Sequence, residues 1–481
     1  MNYGIIRYVI GWLMVVEGAF MLLPSLTSAV YKEGTDALIF LACAMVAAMI
    51  GALLVMKKPK TSTFYAREGF VLTALSWIVL SLVGAVPFVV GGAIPSFVDA
   101  LFETVSGFTT TGASILTDVE ALSHGMLFWR SFTHWIGGMG VLVFMLALLP
   151  MAGGHTMYLM KAESTGPNVS KLVPNIRKTA SFLYIMYTAL TVLQFLLLIT
   201  VGQMPVFDAI CSAVGTAGTG GFGIKADSFA SYTVAAQLIV TILMFLFGVN
   251  LNAYFLATQK RFKDAFKMEE VRWYVILYVG ISLLISANLW LTNGGSIPMT
   301  LHTVFFQTSS VMTTTGFATT DFALWPAVSQ ALMVLLMCIG ACAGSTGGGF
   351  KVIRVMLLWK SARKEFSHML HPRNVKVIKV DGKAVERDTI GVLGVYLFCY
   401  VVVLALSTVL LSLDGFDFTT NFTAAIATVN NIGPGLGQVG PTGSFAAFSD
   451  MSKLVCVFNM LVGRLEIFPM LLLFIPSTWK K

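Results

Sequence analysis

Residues 103–114 read Glu-Thr-Val-Ser-Gly-Phe-Thr-Thr-Thr-Gly-Ala-Ser, a run of small and hydroxylated residues at the end of a short apolar stretch. Similar runs end three other short apolar stretches. They read Ser-Ala-Val-Gly-Thr-Ala-Gly-Thr-Gly-Gly-Phe at 212–222, Gln-Thr-Ser-Ser-Val-Met-Thr-Thr-Thr-Gly-Phe at 307–317 and Ala-Ile-Ala-Thr-Val-Asn-Asn-Ile-Gly-Pro-Gly at 425–435. Aligned by position after the apolar stretch, four glycines correspond: Gly112, Gly221, Gly316 and Gly433.

Each run lies between a short apolar stretch and a long one. The long stretches are predicted membrane crossings, because a span needs about 20 apolar residues. Ten are predicted: 4–30, 36–56, 69–92, 125–150, 179–202, 233–258, 271–292, 327–360, 388–412 and 451–478. The short stretches are predicted half-helices that dip into the membrane from the outside and return; they lie near 97–108, 205–217, 299–312 and 419–429.

The repeated order of span, half-helix, glycine-rich strand and span predicts the fold class. We expect an all-α polytopic membrane protein with four pseudo-symmetric membrane–pore–membrane repeats around one pore, plus two extra N-terminal transmembrane helices. The predicted boundaries are 1–60 for the extra helix pair and 61–160, 161–260, 261–370 and 371–481 for the four repeats.

Composition supports a membrane protein and gives its orientation. Of the 481 residues, 57% are hydrophobic and 11% charged, against about 25% charged in soluble domains. The net charge of +8 comes largely from loops that the positive-inside rule assigns to the cytoplasm, so it does not indicate a nucleic-acid partner. These loops are 57–68, 151–178, 259–272 and 360–387. Ten crossings then place both termini in the cytoplasm, in keeping with Lys480 and Lys481 at the end.

The four glycine-rich strands have the chemistry of a cation pore. A dehydrated cation needs oxygen ligands, which rings of backbone carbonyls supply. Glycine allows the unusual backbone angles that aim carbonyls at an axis. The alternative is that small residues only let helices pack closely, but four occurrences on the same side favour a pore. The predicted cation ligands are Thr110, Thr111, Gly112, Gly220, Gly221, Thr314, Thr315, Gly316, Asn431, Ile432 and Gly433.

The four strands resemble the filter loops of the Trk/Ktr/HKT superfamily of K⁺ transporters, and the length and extra helix pair are most like the Trk branch. The resemblance covers nearly the whole chain. It implies a homodimer with one pore per subunit and a cytosolic ring of nucleotide-binding regulatory subunits, which would dock on the basic loops. In the superfamily a serine at the first filter glycine is associated with Na⁺ transport. That position is Gly112 here, which favours K⁺.

A second glycine feature predicts a gate. Within the crossing 327–360, Gly347, Gly348 and Gly349 should break a helix at mid-membrane, and the resemblance implies an intramembrane loop that obstructs the pore. The alternative is a plain kink. The resemblance also implies that Arg464 forms part of the barrier, with Glu466 as a possible partner. Lys351 and Arg354 are expected at the inner end of this crossing, as cytoplasmic anchors or as gating residues.

The predicted function is K⁺ uptake across a bacterial-type cytoplasmic (inner) membrane, with K⁺ as the transported ion, lipid as the surroundings and no organic cofactor. No catalytic constellation indicates an enzyme. One alternative is a Na⁺-permeable or Na⁺-coupled relative. Another is an organic-solute symporter with inverted repeats, although the four repeats here share one orientation. A channel-like mechanism and symport with H⁺ or Na⁺ both remain open.

Overall fold

The computed structural model describes residues 1–59, 66–140, 176–373 and 376–479. The chain begins with a helix pair, α1 (Tyr3–Val30) and α2 (Gly34–Met56), and continues through the first repeat with α3 (Ala66–Val90), α4 (Phe97–Phe108) and α5 (His124–Gly138). The second repeat comprises α6 (Ile176–Thr200), α7 (Val206–Ala217), α8 (Val234–Phe247) and α9 (Leu251–Thr258), and α10 (Phe262–Lys267) follows it.

The third repeat comprises α11 (Glu269–Asn293), α12 (Ile297–Met312), α13 (Ala327–Ile339) and α14 (Val352–Leu370). A small antiparallel hairpin, β1 (Lys379–Val380) and β2 (Lys383–Ala384), connects it to the fourth repeat. That repeat comprises α15 (Arg387–Leu411), α16 (Phe418–Val429), α17 (Asp450–Arg464) and α18 (Phe468–Leu473). Single 3₁₀ turns lie at Phe322–Leu324, Ser412–Asp414, Gly437–Val439 and Pro476–Thr478.

Six helices of the described ranges are long and apolar enough to cross a membrane, or seven if the bent pair α8 and α9 counts as one. They are α1, α2, α3, α6, α11 and α15. The outer faces of several expose large apolar side chains, such as Leu38, Leu284 and Phe398, and a chain in water would bury such side chains. The protein is therefore an all-α polytopic membrane protein, as the sequence predicts.

The extra pair α1 and α2 packs backbone against backbone. A Cβ atom on Gly11 would lie 2.8 Å from the carbonyl oxygen of Gly51, and one on Gly51 would lie 2.5 Å from the carbonyl oxygen of Gly11. Two turns further on, a Cβ on Gly18 would lie 2.7 Å from the carbonyl oxygen of Ala44. Small residues that allow this approach are the usual basis of close helix packing in lipid.

Replacing Gly51 with Leu should therefore separate α1 from α2 and lower stability by roughly 1–3 kcal/mol, the usual cost of overpacking. The thermal unfolding midpoint of the purified protein in detergent measures this loss. Gly280→Leu is the matched control, because a Cβ on Gly280 in α11 meets nothing within 4 Å. Equal midpoints for the two variants would contradict the packing described here.

The short helices α4, α7, α12 and α16 end where the glycine-rich strands begin. Side chains fix the start of two of them: Ser96 accepts a hydrogen bond from the Asp99 amide, and Asp417 accepts one from the Thr420 amide. Prolines lie at the start of the other two, Pro205 at the N-cap of α7 and Pro298 in the first turn of α12. At 12 to 16 residues, these helices are too short to cross a bilayer core of about 30 Å.

Within the described residues, the crossings that end the second, third and fourth repeats are each broken. The crossings predicted at 233–258 and 451–478 are not single helices: α8 and α9 meet at an angle of 92°, and α17 ends at Arg464. Beyond it, Glu466 and Ile467 have positive φ angles of 59° and 66°. The crossing at 327–360 is broken, as its glycines predict. Helix α5 ends at Gly138, and residues 141–175 lie outside the described ranges, as do 60–65, Lys480 and Lys481.

Candidate functional site

The four aligned glycines form one closed ring. Their φ angles are all positive, at 77° for Gly112, 81° for Gly221, 91° for Gly316 and 93° for Gly433. A Cβ on each would lie under 3.0 Å from a carbonyl oxygen of the next strand. Around the ring, those oxygens belong to Gly220, Thr315, Ile432 and, closing the circle, Thr111. The four strands therefore lie side by side around one axis, in chain order.

The four carbonyl groups that face these glycines belong to buried residues. Among the described residues, no hydrogen bond is donated to the carbonyl oxygens of Thr111, Gly220, Thr315 or Ile432. A buried carbonyl without a partner is costly in a folded protein. The four oxygens lie around one ring, and carbonyl oxygens are the ligands that a cation needs once it has lost its water.

The residue two places before each glycine has the same left-handed backbone. The φ angles are 57° at Thr110, 52° at Thr219, 58° at Thr314 and 54° at Asn431. The strands thus share one turn geometry despite different sequences. Thr219 is absent from the predicted ligand set, because the second run lacks the Thr-Thr-Thr-Gly pattern of the first and third. Its position two residues before Gly221 is the signal that identifies Thr219 as the equivalent of Thr110, Thr314 and Asn431.

Hydroxyl and amide side chains brace the strands from behind. Thr109 and Thr111 hydroxyls lie 2.8 Å apart, and the equivalent Thr313 and Thr315 hydroxyls lie 2.7 Å apart. Asn431 donates from Nδ2 to the Thr111 hydroxyl at 2.9 Å and to the Met460 carbonyl at 2.9 Å. These side chains therefore fix the backbone that presents the carbonyls, and they tie the fourth strand to the first.

Residues 340–351, the loop between α13 and α14, contact the ends of two of the short helices. The Gly348 amide donates to the Thr314 hydroxyl at 2.6 Å. A Cβ on Gly347 would lie 2.8 Å from the Thr313 carbonyl oxygen, and one on Gly348 would lie 2.6 Å from that of Asn430. Backbone thus packs on backbone where α12 and α16 end, which only glycine permits at these two positions.

Loop 340–351 is closed at its base by its own backbone and by a buried lysine. The Lys351 amide donates to the Ile339 carbonyl at 2.8 Å, and the Val352 amide donates to the Ala341 carbonyl at 3.0 Å. The Lys351 ammonium donates to the Gly347 carbonyl. Lys351 is only 1% exposed, so the interpretation of this residue as a cytoplasmic anchor is wrong.

Arg354 is also buried, and the same interpretation is wrong for it. Its guanidinium forms an ion pair with Glu466 and lies 4.0 Å from the centre of the Tyr396 ring. Glu466, considered above as a partner of Arg464, therefore pairs with Arg354. The positive φ of Glu466 turns the chain after α17, which directs the carboxylate to α14 instead of along its own helix.

Arg464 joins loop 340–351 to the end of α5. It donates to the Thr346 carbonyl at 3.0 Å, to the Gly138 carbonyl at 2.9 Å and to the Gly137 carbonyl. The C-terminal end of a helix carries partial negative charge, which stabilises a cation there. One side chain of the fourth repeat thus connects the first repeat to the loop of the third.

Glu270 makes a second set of hydrogen bonds to loop 340–351 and its surroundings, which was not predicted from the sequence. Glu270 accepts hydrogen bonds from the Ala343 amide at 2.6 Å and from Asn250 Nδ2 at 3.0 Å. The Leu251 amide donates to the Gly344 carbonyl at 3.1 Å. The break between α8 and α9 is thereby satisfied by the loop, as backbone at membrane depth must be. The sequence signal that could have identified Glu270 is its place as a carboxylate at the start of the predicted crossing 271–292.

Comparison with known proteins gives one consistent result. A family model described as TrkH, a cation transport protein, matches residues 37–481. The chain is 35% identical to the Trk system potassium uptake protein TrkH of Salmonella typhimurium, with 100% of each chain covered. It is 30% identical to the Trk system potassium uptake protein TrkG of Escherichia coli, with 99% of this chain and 98% of that one covered.

The fold also matches a solved structure over its whole length. The crystal structure of the potassium transporter TrkH from Vibrio parahaemolyticus superimposes with a TM-score of 0.90 at 32% identity, covering 100% of both chains. The family model, the full-length relatives and the shared fold agree. The chain belongs to the TrkH family of cation transport proteins.

Proposed function

We propose that this protein takes up K⁺ across the cytoplasmic membrane through the glycine ring. The observation that carries the proposal is the closed circle of four carbonyl oxygens, each facing a glycine of the preceding strand and each without a hydrogen-bond donor among the described residues. Relatives that align with the whole chain bear the name potassium uptake protein. Backbone carbonyls replace the water of a dehydrated K⁺ ion in other selective pores.

All four positions of the ring are glycine, and this favours K⁺ as the preferred ion. The strands are unequal in sequence, however: the first and third carry threonines, the second Thr219 and Gly220, and the fourth Asn431 and Ile432. Unequal strands support a second candidate, in which Na⁺ also permeates. The relative fluxes of the two ions decide between the candidates.

Loop 340–351 is the proposed gate. Its glycines pack against the ends of α12 and α16 beside the strands, so the loop lies where it would obstruct an ion that leaves the ring. Arg464 of the fourth repeat and Glu270 at the start of α11 hold it. Opening the pore then requires the loop to leave these partners, which makes Arg464 a gating residue.

The membrane potential supplies the driving force in this proposal. An inside-negative potential contributes about 2.3 kcal/mol per charge per 100 mV, enough to draw K⁺ inward without ATP hydrolysis by this chain. The orientation has both termini in the cytoplasm, because the basic segments around α10 and the end of α14 would then face inward.

Two partners belong to the proposal. One is a second copy of the chain, giving a homodimer with one pore in each subunit. The other is a cytosolic nucleotide-binding regulatory subunit. Exposed basic residues near α10 and on α14, such as Lys260, Lys263 and Arg363, form a positively charged surface that would bind an acidic partner.

Ion flux into proteoliposomes tests the proposed function. Purified protein should carry K⁺ and Rb⁺ faster than Na⁺ under an inside-negative potential. Repeating the assay with an imposed proton gradient separates the two mechanisms, because symport with H⁺ should follow the gradient and a channel should not. Na⁺ flux equal to K⁺ flux would favour the second candidate. Binding of an organic solute without ion flux would contradict both.

A further inference from the structure

A buried ion pair lies behind the first two glycine-rich strands. Glu103 of α4 and Arg130 of α5 are 1% and 3% exposed, and Arg130 Nε lies 2.5 Å from Glu103 Oε1. Neither residue lines the glycine ring or contacts loop 340–351 in the bonds described above. An ionisable pair at membrane depth is expensive and therefore indicates a function.

Both members of the pair are bonded to filter strands. Glu103 accepts hydrogen bonds from the Ser114 hydroxyl at 2.9 Å and from the Ile115 amide at 3.0 Å, just beyond Gly112. Arg130 donates to the Gly223 carbonyl at 2.8 Å. The pair therefore connects the first strand to the second through charge-assisted hydrogen bonds, which are stronger than neutral ones.

Aromatic contacts complete the connection. The guanidinium of Arg130 lies 3.6 Å from the centre of the Phe222 ring, and Phe222 directly follows Gly221. One turn along α5, His134 accepts a hydrogen bond from the Phe222 amide at 3.2 Å, and its other ring nitrogen lies 2.7 Å from the Gly107 carbonyl. Helix α5 thus supports the second strand at successive residues.

The other three repeats show that packing does not require this pair. At the same distance from the helix start as Arg130, α8, α13 and α17 carry Val240, Met333 and Cys456, all buried. At the same distance before the ring glycine as Glu103, the short helices α7, α12 and α16 carry Ser212, Gln307 and Ala424. Since an apolar residue of similar size is often as stabilising as a buried ion pair, a purely structural role would not explain the pair.

We propose that Glu103 and Arg130 are specificity-determining positioning residues, which fix the separation of the first and second filter strands and thereby limit Na⁺ passage. A carbonyl ring that can contract fits the smaller Na⁺ ion, so K⁺ preference requires strands that resist moving together. The pair supplies this resistance at the interface between the first two repeats. This inference rests on the proposed function.

The test is the ratio of K⁺ to Na⁺ flux in proteoliposomes for Glu103→Gln. The variant keeps the shape and the contacts to Ser114 and Ile115 but removes the charge that binds Arg130. We expect the ratio to fall roughly tenfold, the effect of losing a charge-assisted hydrogen bond, with K⁺ flux retained. Arg130→Lys keeps the charge but lacks the planar fork, and should give a smaller fall.

Asp99→Asn is the matched control. Asp99 also lies on α4 and forms an ion pair, but its partner is Lys453 at 2.6 Å, at the start of α17. The ratio of K⁺ to Na⁺ flux for Asp99→Asn should equal that of the wild type. If Glu103→Gln does not fold, Phe222→Leu takes its place, because it removes the ring under the guanidinium and keeps both charges. The same fall in ratio is expected.

Two results would contradict different claims. If the wild type prefers K⁺ and Glu103→Gln keeps its ratio, or if Asp99→Asn shows the same fall, the inference is overturned and the proposed function stands. If the wild type carries no K⁺, the proposed function fails, and the inference with it. Thermal stabilisation by K⁺ relative to Na⁺ gives a second readout of ion preference that does not depend on flux.

Discussion

Arg464→Ala is expected to raise K⁺ flux about tenfold, because a hydrogen bond to a charged group contributes roughly 1.5–3 kcal/mol and the side chain holds loop 340–351 to the end of α5. The alanine removes the bonds to Thr346, Gly137 and Gly138 together. The substitution destabilises the closed state, which makes these bonds. It leaves an open state unaffected, because a loop that has moved no longer makes them. The equilibrium should therefore shift towards opening.

Shortening the loop is an independent way to test the same gate. Deletion within Gly347–Gly349 removes the backbone that packs against Thr313 and Asn430, and K⁺ flux should rise. Lys32→Ala, a change to an exposed residue between α1 and α2, is the control and should leave flux unchanged. Unchanged flux in both Arg464→Ala and the shortened loop would mean that the loop is not the gate.

Gly221→Ala is expected to reduce K⁺ flux by roughly 100-fold while the protein still folds. An L-residue in the left-handed region costs about 1–2 kcal/mol, and its Cβ would also collide with the Thr315 carbonyl oxygen. The strand must move, which takes the carbonyl oxygens of the ring out of position. Rb⁺ uptake into proteoliposomes measures the loss.

Gly394→Ala is the matched control for this change. A Cβ on Gly394 in α15 meets nothing within 4 Å, so uptake should match that of the wild type. Gly112→Ser, at the corresponding position of the first strand, should reduce K⁺ preference over Na⁺ for the same steric reason. A Gly112→Ser protein with full K⁺ preference would contradict the placement of Gly112 in the filter.

The sequence predicts the glycine ring because the signal is local and occurs four times. Each glycine follows a short apolar stretch at a similar distance, so the correspondence of Gly112, Gly221, Gly316 and Gly433 needs no knowledge of the fold. Thr219 was missed because the second run has a different amino-acid sequence from the others, although its backbone makes the same turn. The spacing of the residues indicated the repeat more clearly than the residue types did.

The contacts between side chains far apart in the sequence were beyond sequence reasoning. Glu103 and Arg130 lie on different helices, and Glu270 reaches a loop more than seventy residues later; nothing in local spacing pairs them. The burial of Lys351 was missed for a related reason, because a basic residue next to a span usually faces water. Here its ammonium closes a loop inside the protein.

Hydropathy also concealed the breaks in two predicted crossings. Residues 233–258 are mostly apolar and carry no charge, and an average over such a window does not show a turn at Gly248. The turn forms because loop 340–351 satisfies its exposed backbone, as the Cys342 amide donates to the Gly248 carbonyl at 3.1 Å. The break is therefore a property of the assembled fold.

The most direct test of the central claim is a crystal structure with Rb⁺ in place of K⁺, using anomalous scattering to locate the ion. The account predicts a Rb⁺ peak on the axis of the glycine ring, within coordination distance of the carbonyl oxygens of Thr111, Gly220, Thr315 and Ile432. A protein that transports Rb⁺ but shows no peak at this ring, with the ion bound elsewhere, would contradict it.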